Sequence, residues 1–195
     1  EGSMVVDVGG GTTEVAVISL GGIVLARSIP TAGIMMDSVI VDFIKHDHNM
    51  LISDRMAEDI KIDWGSALPV KEERKVVVRG RDLITGLPQT AEISSLRIYE
   101  ALHGPCLKIL DTIREVLDKT PPELCGDILR KGIYLVGGGA QLYGLDRFLA
   151  SELSLPVTLA KDPMLSAAAG VGHMADNSDL LPKLTRSNFM RDETE

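Results

Sequence analysis

One carboxylate, Asp7, sits near the end of the apolar run 4–8, and three glycines, Gly9, Gly10 and Gly11, follow before Thr12 and Thr13. This combination suits phosphate chemistry. Glycine lets backbone N–H groups approach an anion closely, an acid at a strand end can hold hydrated Mg2+, and hydroxyls can contact phosphate or water. The same residues would also make a glycine-rich hairpin turn. A second triplet, Gly137, Gly138 and Gly139, follows the apolar run 132–136 and precedes Leu142, Leu145, Phe148, Leu149 and Leu153 at helical spacing. Strand, glycine turn and helix N-terminus place N–H groups and a positive dipole end where an anion or a nucleotide edge can sit. Close strand-to-helix packing is the alternative. Neither triplet belongs to a G-x-G-x-x-G or Walker A pattern and no lysine follows either, which argues against the Rossmann and P-loop classes. Two glycine walls without a P-loop suggest another class of nucleotide-binding fold.

Other candidates for chemistry are few. Glu58 and Lys61 stand at i and i+3 on one helical face, where they would grip a ribose or form a solvated surface ion pair. His46 and His48 point in different directions on a helix, and His103 and His173 have no acid at ligand spacing, so a metal site is not expected there. Cys106 and Cys125 lack C-x-x-C or metal-like spacing and read as free thiols, one on a helix face and one in a loop, which points to a reducing compartment such as the cytoplasm. No G-x-S-x-G or Cys/His pattern supports nucleophilic hydrolysis.

The elements that must position these residues follow from periodicity. The runs 4–8, 14–19 and 23–29, separated by glycine turns, predict an antiparallel meander. Met36, Val39, Ile40, Phe43 and Ile44 predict a helix ending near Asn49. Ser53 or Asp54 caps a second, with Met56, Ala57, Ile60 and Trp64 on its apolar stripe. Residues 71–94 change character: Val76-Val77-Val78 and 89–93 read as strands joined through RGRDLITGLP, a small inserted hairpin. Ser94 or Ser95 caps a long helical stretch interrupted at Gly104-Pro105 and stopped at Pro121-Pro122. Beyond the second triplet and its helix, 155–159 is a short strand. Asp162-Pro163 starts a last helix, in which Ala167, Ala168, Ala169 and Gly170 allow close packing. A mixed sheet with helices on both faces is the economical arrangement. The domain plan is a core of 1–66 and 97–175, an inserted hairpin at 67–96, and a tail over 176–195.

Composition excludes several functions. The 195 residues are 45% hydrophobic, enough for a substantial core. Twenty Lys and Arg against 28 Asp and Glu leave a net charge of −8, and no basic stripe carries interleaved aromatics, so nucleic acid is not an expected partner. No run approaches the roughly 20 apolar residues of a membrane-spanning helix.

The stretches VVDVGGGTTEVAVISLGG, AEDIKIDWGSA, RGRDLITGLP, KTPPELCGDI, LVGGGAQLYGLDRFL and LPVTLAKDP together resemble the second half of bacterial actin homologues of the rod-shape-determining MreB family. The resemblance runs to about Val171. It implies an α/β, actin-like ATPase (ribonuclease H-like) domain with a mixed sheet flanked by helices and a small inserted subdomain. It further implies a cytoplasmic ATP-dependent filament protein that associates with itself beneath the membrane and with the cell-wall synthesis machinery. By the same resemblance, Asp7 holds Mg2+ through water, and Gly9, Gly10, Gly11, Thr12 and Thr13 contact ATP phosphates. Thr12 and Thr13 would act in hydrolysis together with first-domain groups. Glu58 and Lys61 would meet ribose and adenine, Gly137, Gly138 and Gly139 would form the adenosine loop, and RGRDLITGLP would take part in subunit contacts.

Two departures stand out. The family's Gly-Gly-Asp or Ala-Gly-Asp run reads Ala32-Gly33-Ile34 here, with Asp37 retained. The family's first half, with its first phosphate loop and an acid that orients water, has no counterpart, so the chain reads as a fragment that binds ATP weakly and hydrolyses it hardly at all. A sugar kinase of the same superfamily and a non-catalytic interaction module are the other readings.

Overall fold

The computed structural model describes residues 1–70 and 72–176, so the expected tail lies, from Asn177 on, outside them. In chain order the elements are β1 (Gly2–Val8), β2 (Thr13–Ser19), β3 (Gly22–Ile29), α1 (Gly33–His48), β4 (Met50–Leu51), α2 (Asp54–Trp64), β5 (Lys75–Asp82) and β6 (Pro88–Ser94). There follow α3 (Ser95–Asp118), α4 (Pro122–Lys131), β7 (Ile133–Val136), α5 (Leu145–Leu153), β8 (Val157–Leu159) and α6 (Ser166–Asp176).

The predicted meander forms the left half of a mixed sheet ordered β3-β2-β1-β7-β8. β1 to β3 pair antiparallel, and β7 joins β1 in parallel with Asp7 opposite Val136. Along β1 and β2 burial alternates: Met4, Val6, Val8, Val15 and Val17 are fully buried, whereas Val5 and Ala16, neighbours across the ladder, remain partly exposed. Period-2 alternation of this kind marks a sheet covered on one face. The sheet is thus flanked by helices, and those within its two crossovers belong to one face. The crossovers from β3 to β7 and from β7 to β8 advance in one direction across the sheet, and right-handed connection sends both to the same face. Contact of α3 with β2, β3 and α5 agrees. A second sheet, β4-β5-β6, contains the inserted hairpin and also Met50–Leu51, a strand too short to show in the sequence pattern.

Several expectations were local and the tertiary structure overrode them. Pro105 does not interrupt α3: the helix runs unbroken through it. An interior proline costs ~3 kcal/mol. Ile98, Leu102, Cys106, Ile109 and Ile113, all fully buried on either side of it, outweigh that cost by packing. Burial also pushes the Cys106 thiol up to about 12. The Pro121-Pro122 stop is followed at once by α4, with Pro122 in its first turn, Glu123 near its N-terminus and Arg130 and Lys131 in its last turn. Cys125 therefore lies on a helix rather than in a loop. Asp162 makes no side-chain cap; a short 3-10 turn, Pro163–Leu165, precedes α6. None of the residues of α6, its small-residue face included, is buried among the described residues.

Candidate nucleotide site

β1 and β7 are adjacent parallel strands whose C-terminal ends carry the two glycine triplets. From this pair the chain continues outward to β2 on one side and β8 on the other, a switch in direction that opens a crevice beyond the strand ends. A cleft of about 610 Å³ occupies that place, lined by Asp7, Gly9, Gly10, Gly33, Ile34, Asp37, Glu58, Lys61, Ile62, Gly137, Gly138, Gly139 and Met164 among others. Eight of the residues singled out in the sequence (Asp7, Gly9, Gly10, Glu58, Lys61, Gly137, Gly138 and Gly139) meet there.

The first glycine loop is held by its own turn and by α1. Gly9 N–H donates to Thr12 O at 3.0 Å, Gly33 N–H to Gly9 O at 3.1 Å, and Ile34 N–H to Gly10 O at 2.8 Å. The first N–H groups of α1, unpaired in an isolated helix, are thus used on the loop. The second loop is held by packing. Gly137 has φ +90, a left-handed backbone, and a Cβ there would fall well under 3 Å from Asp7 Oδ1 and Val8 O. Its N–H donates to Pro163 O at 2.9 Å. A short 3-10 turn, Gly139–Gln141, follows, and α5 begins only at Leu145 behind Gly144. The helix N-terminus expected at this triplet is therefore not there; the helix starts that reach the cleft are those of α1, through Gly33 and Ile34, and of α6, through Ala167.

Ser53 caps α2, its Oγ accepting from Met56 N–H at 3.2 Å, and the buried Ala57 and Ile60 fix which side faces inward. Glu58 and Lys61 then face the cleft, but among the described residues they form no ion pair with each other. Lys61 turns to α1: its Nζ lies 2.8 Å from Asp37 Oδ1, donates to Asp37 Oδ2 at 3.0 Å and to Gly33 O at 3.2 Å. The pair is largely enclosed, with side-chain exposures of 14% and 17%. Burial raises the Asp37 carboxyl above its ordinary range against the pull of Lys61, and the nearby Glu58 and Asp54 add to the rise.

The hydroxyls divide. Thr13 is fully buried, and its Oγ1 donates to Thr31 O at 2.6 Å, so its hydroxyl ties the loop from beneath. Gly11 and Thr12 are exposed and lie outside the cleft lining. A metal fits here only in company. Asp7, Asp37 and Glu58 give the cleft three carboxylates against one paired ammonium, yet no group of three ligating side chains is preassembled among the described residues. That donor set matches Mg2+, which keeps its waters and binds through one or two carboxylates plus phosphate oxygens.

Residues 1–183 match the MreB/Mbl protein family model. The chain belongs to the MreB/Mbl family. It is 47% identical over 182 residues to the cell shape-determining protein Mbl of Bacillus subtilis (strain 168), covering 93% of this chain and 55% of that protein. It is 44% identical over 179 residues to the cell shape-determining protein MreB of Escherichia coli (strain K12), covering 92% of this chain and 52% of that one. The crystal structure of MreB5 of Spiroplasma citri bound to ADP superimposes with TM-score 0.88 at 38% identity, over 94% of this chain and 56% of that chain. The actin-like fold read from the sequence is the fold of these neighbours. The chain spans about half the length of the relatives it matches.

In this MreB/Mbl chain, sequence reasoning missed several contributors to the cleft, among them Asp37, Ile62 and Met164. Asp37 was noted only as a retained acid, and its contact with Lys61 joins residues 24 positions apart. Ile62 and Met164 stand at the rim, 69% and 71% exposed. Ile62 had a signal, since it is a large apolar residue off the buried stripe of α2. Ile34, 63% exposed at the start of α1, adds a hydrocarbon to the cleft lining.

Proposed function

We propose that this chain is the ATP-binding second domain of an MreB-like cytoskeletal protein that forms filaments and controls rod cell shape and cell-wall growth. The observation that carries the reading is the meeting of both glycine loops, Asp7 and Glu58 in one cleft at the ends of β1 and β7. Similarity to MreB5, which has been solved bound to ADP and to AMPPNP, supports a nucleotide as the occupant. Family membership favours this reading over a sugar kinase.

In the proposed complex, Gly9, Gly10, Gly11 and Thr12 border the phosphates, Gly137, Gly138 and Gly139 border the adenosine, and α2 lies along the nucleoside with Glu58 facing it and Lys61 held against α1. Asp7 holds Mg2+ through water, and the ion supplies positive charge against the phosphates in a cleft that is otherwise rich in carboxylates. Thr13 keeps the loop in shape through Thr31. Hydrolysis requires charge-stabilising groups on both sides of the phosphates, so ATPase activity is proposed for the full-length protein and only weak binding for this chain. Self-association into filaments, contact with the cell-wall synthesis machinery and a cytoplasmic location at the membrane are proposals for the full-length protein.

The test is calorimetry of Mg·ATP with the 195-residue chain beside its Asp7→Ala variant. Saturable binding that weakens in the variant is the expected result. Absence of binding up to millimolar ATP would remove the nucleotide reading for the isolated chain and favour a non-catalytic interaction module.

A further inference from the structure

The Lys61 ammonium faces acceptors that belong to the protein. It donates to Asp37 Oδ2 at 3.0 Å and to Gly33 O at 3.2 Å, and it stands in ion-pair contact with Asp37 Oδ1 at 2.8 Å, a buried oxygen that takes no hydrogen bond. Gly33 is where two connections cross. Its carbonyl holds Lys61, and its N–H holds Gly9 O; a Cβ on it would already stand 3.4 Å from Gly9 O and 3.5 Å from Lys61 Nζ. Ile34 repeats the inward bond to Gly10 O. A continuous path therefore runs from α2 through Lys61 to the N-terminus of α1 and on to the first glycine loop. Glu58, one turn back on α2, faces the same cleft without joining this path.

We propose that Lys61 and Asp37 form a strut that positions the first glycine loop, so that Lys61 serves the phosphate side of the site through α1 while Glu58 is the polar side chain of α2 left to meet the nucleoside. The proposal rests on the nucleotide reading above for its ligand, but not for its geometry. Enclosure strengthens it: an ion pair with both side chains mostly out of water is held more rigidly than a surface pair, and removing either partner strands the other. Acting through α1 also separates the strut from direct attraction. A cation acting on phosphate through space would make Lys61→Met weaken and Asp37→Asn strengthen the binding of a polyanion. A strut makes both variants weaken it.

The experiment is titration of Mg·ADP and, separately, adenosine into the 195-residue chain and its Lys61→Met, Asp37→Asn, Glu58→Gln and doubly substituted Asp37→Asn/Lys61→Met forms, with amide hydrogen exchange at Gly33 and Ile34. Lys61→Met and Asp37→Asn should each weaken Mg·ADP by about tenfold while leaving adenosine within about twofold, and the double variant should be no worse than either single one. Glu58→Gln should weaken adenosine and Mg·ADP alike. Exchange at Gly33 and Ile34 should speed by about tenfold in both strut variants and stay unchanged in Glu58→Gln. Opposite shifts of Mg·ADP in the two single variants, or a parallel loss of adenosine in Lys61→Met, would overturn the strut. If the parent chain binds neither ligand, the nucleotide reading fails by itself. The exchange rates then decide the strut alone, faster exchange in both variants supporting it and unchanged exchange overturning it.

Discussion

Gly9-Gly10-Gly11 and Gly137-Gly138-Gly139 are the same tripeptide on neighbouring strands, and the protein uses them for opposite purposes. Around Gly10 and Gly11 an added Cβ would meet nothing within 4 Å. Around Gly137 and Gly139 it would meet Asp7, Val8 and Gly9. The first loop is open and tethered by hydrogen bonds; the second is closed and wedged against β1. Glycine in the first keeps space free for something outside the chain, and glycine in the second lets two loops lie side by side. A sequence motif read twice as a ligand signature can therefore be an open loop in one place and a packing joint in the other.

The largest effect should come from the closed loop. Gly137→Ala combines a left-handed φ with a collision against Asp7 and Val8, and unfolding by denaturant should show a loss of about 3 kcal/mol or more. An unchanged midpoint would mean that the loops separate easily. Gly139→Ala brings a Cβ to 2.8 Å from Val8 Cγ1 and 3.0 Å from Gly9 O, with no positive φ, so about 1–3 kcal/mol is expected in the same assay. Gly10→Ala sharpens the contrast from the other side. Its stability should stay within about 1 kcal/mol of the parent, since space is open and the unfolded chain loses freedom, while Mg·ATP binding should fall about tenfold by calorimetry. Equal losses of stability in Gly10→Ala and Gly139→Ala would erase the distinction between the loops.

The smallest effect concerns the tether of the open loop. Because burial raises the Asp37 carboxyl above its ordinary 3.8, the folded state holds that proton more tightly than the unfolded chain does. Its contribution to stability therefore falls as pH rises from 3.8 through the folded-state value, and is level above it. Melting temperatures of the parent and Asp37→Asn, followed across that acid window, should diverge in this sense; parallel curves would show that the carboxyl is not desolvated.

Features that depend on near neighbours in sequence were legible. The meander showed itself by period-2 runs and glycine turns, α1 and α2 by apolar spacing and the Ser53 cap, and the hairpin by Val76-Val77-Val78 with its turn residues. What depended on distant partners was not. Pro105 reads as a breaker because the surfaces on which the buried residues of α3 pack are supplied by α1, the sheet and α5. Lys61 reads as the partner of Glu58 because helical spacing is visible and the approach of α1 is not. Thr13 reads as a ligand group because nothing in the sequence shows that Thr31 will take its hydroxyl. Asp7 and the glycine triplets could be singled out because their chemistry is carried by residue type, although which triplet is open and which is closed depends on the register of β1 and β7.

That register also has a temporal side. Met4 pairs with Ile133 and Asp7 with Val136, so the floor of the cleft joins the first strand of the chain to one made much later. During synthesis β1 and β2 can pair early, but the other edge of β1 stays an unfilled template for hydrogen bonds until β7 leaves the ribosome. Non-local pairing of this kind slows folding. The cleft is accordingly among the last parts of the molecule to exist, and the nascent chain spends the interval with its central strand open to any other extended segment nearby.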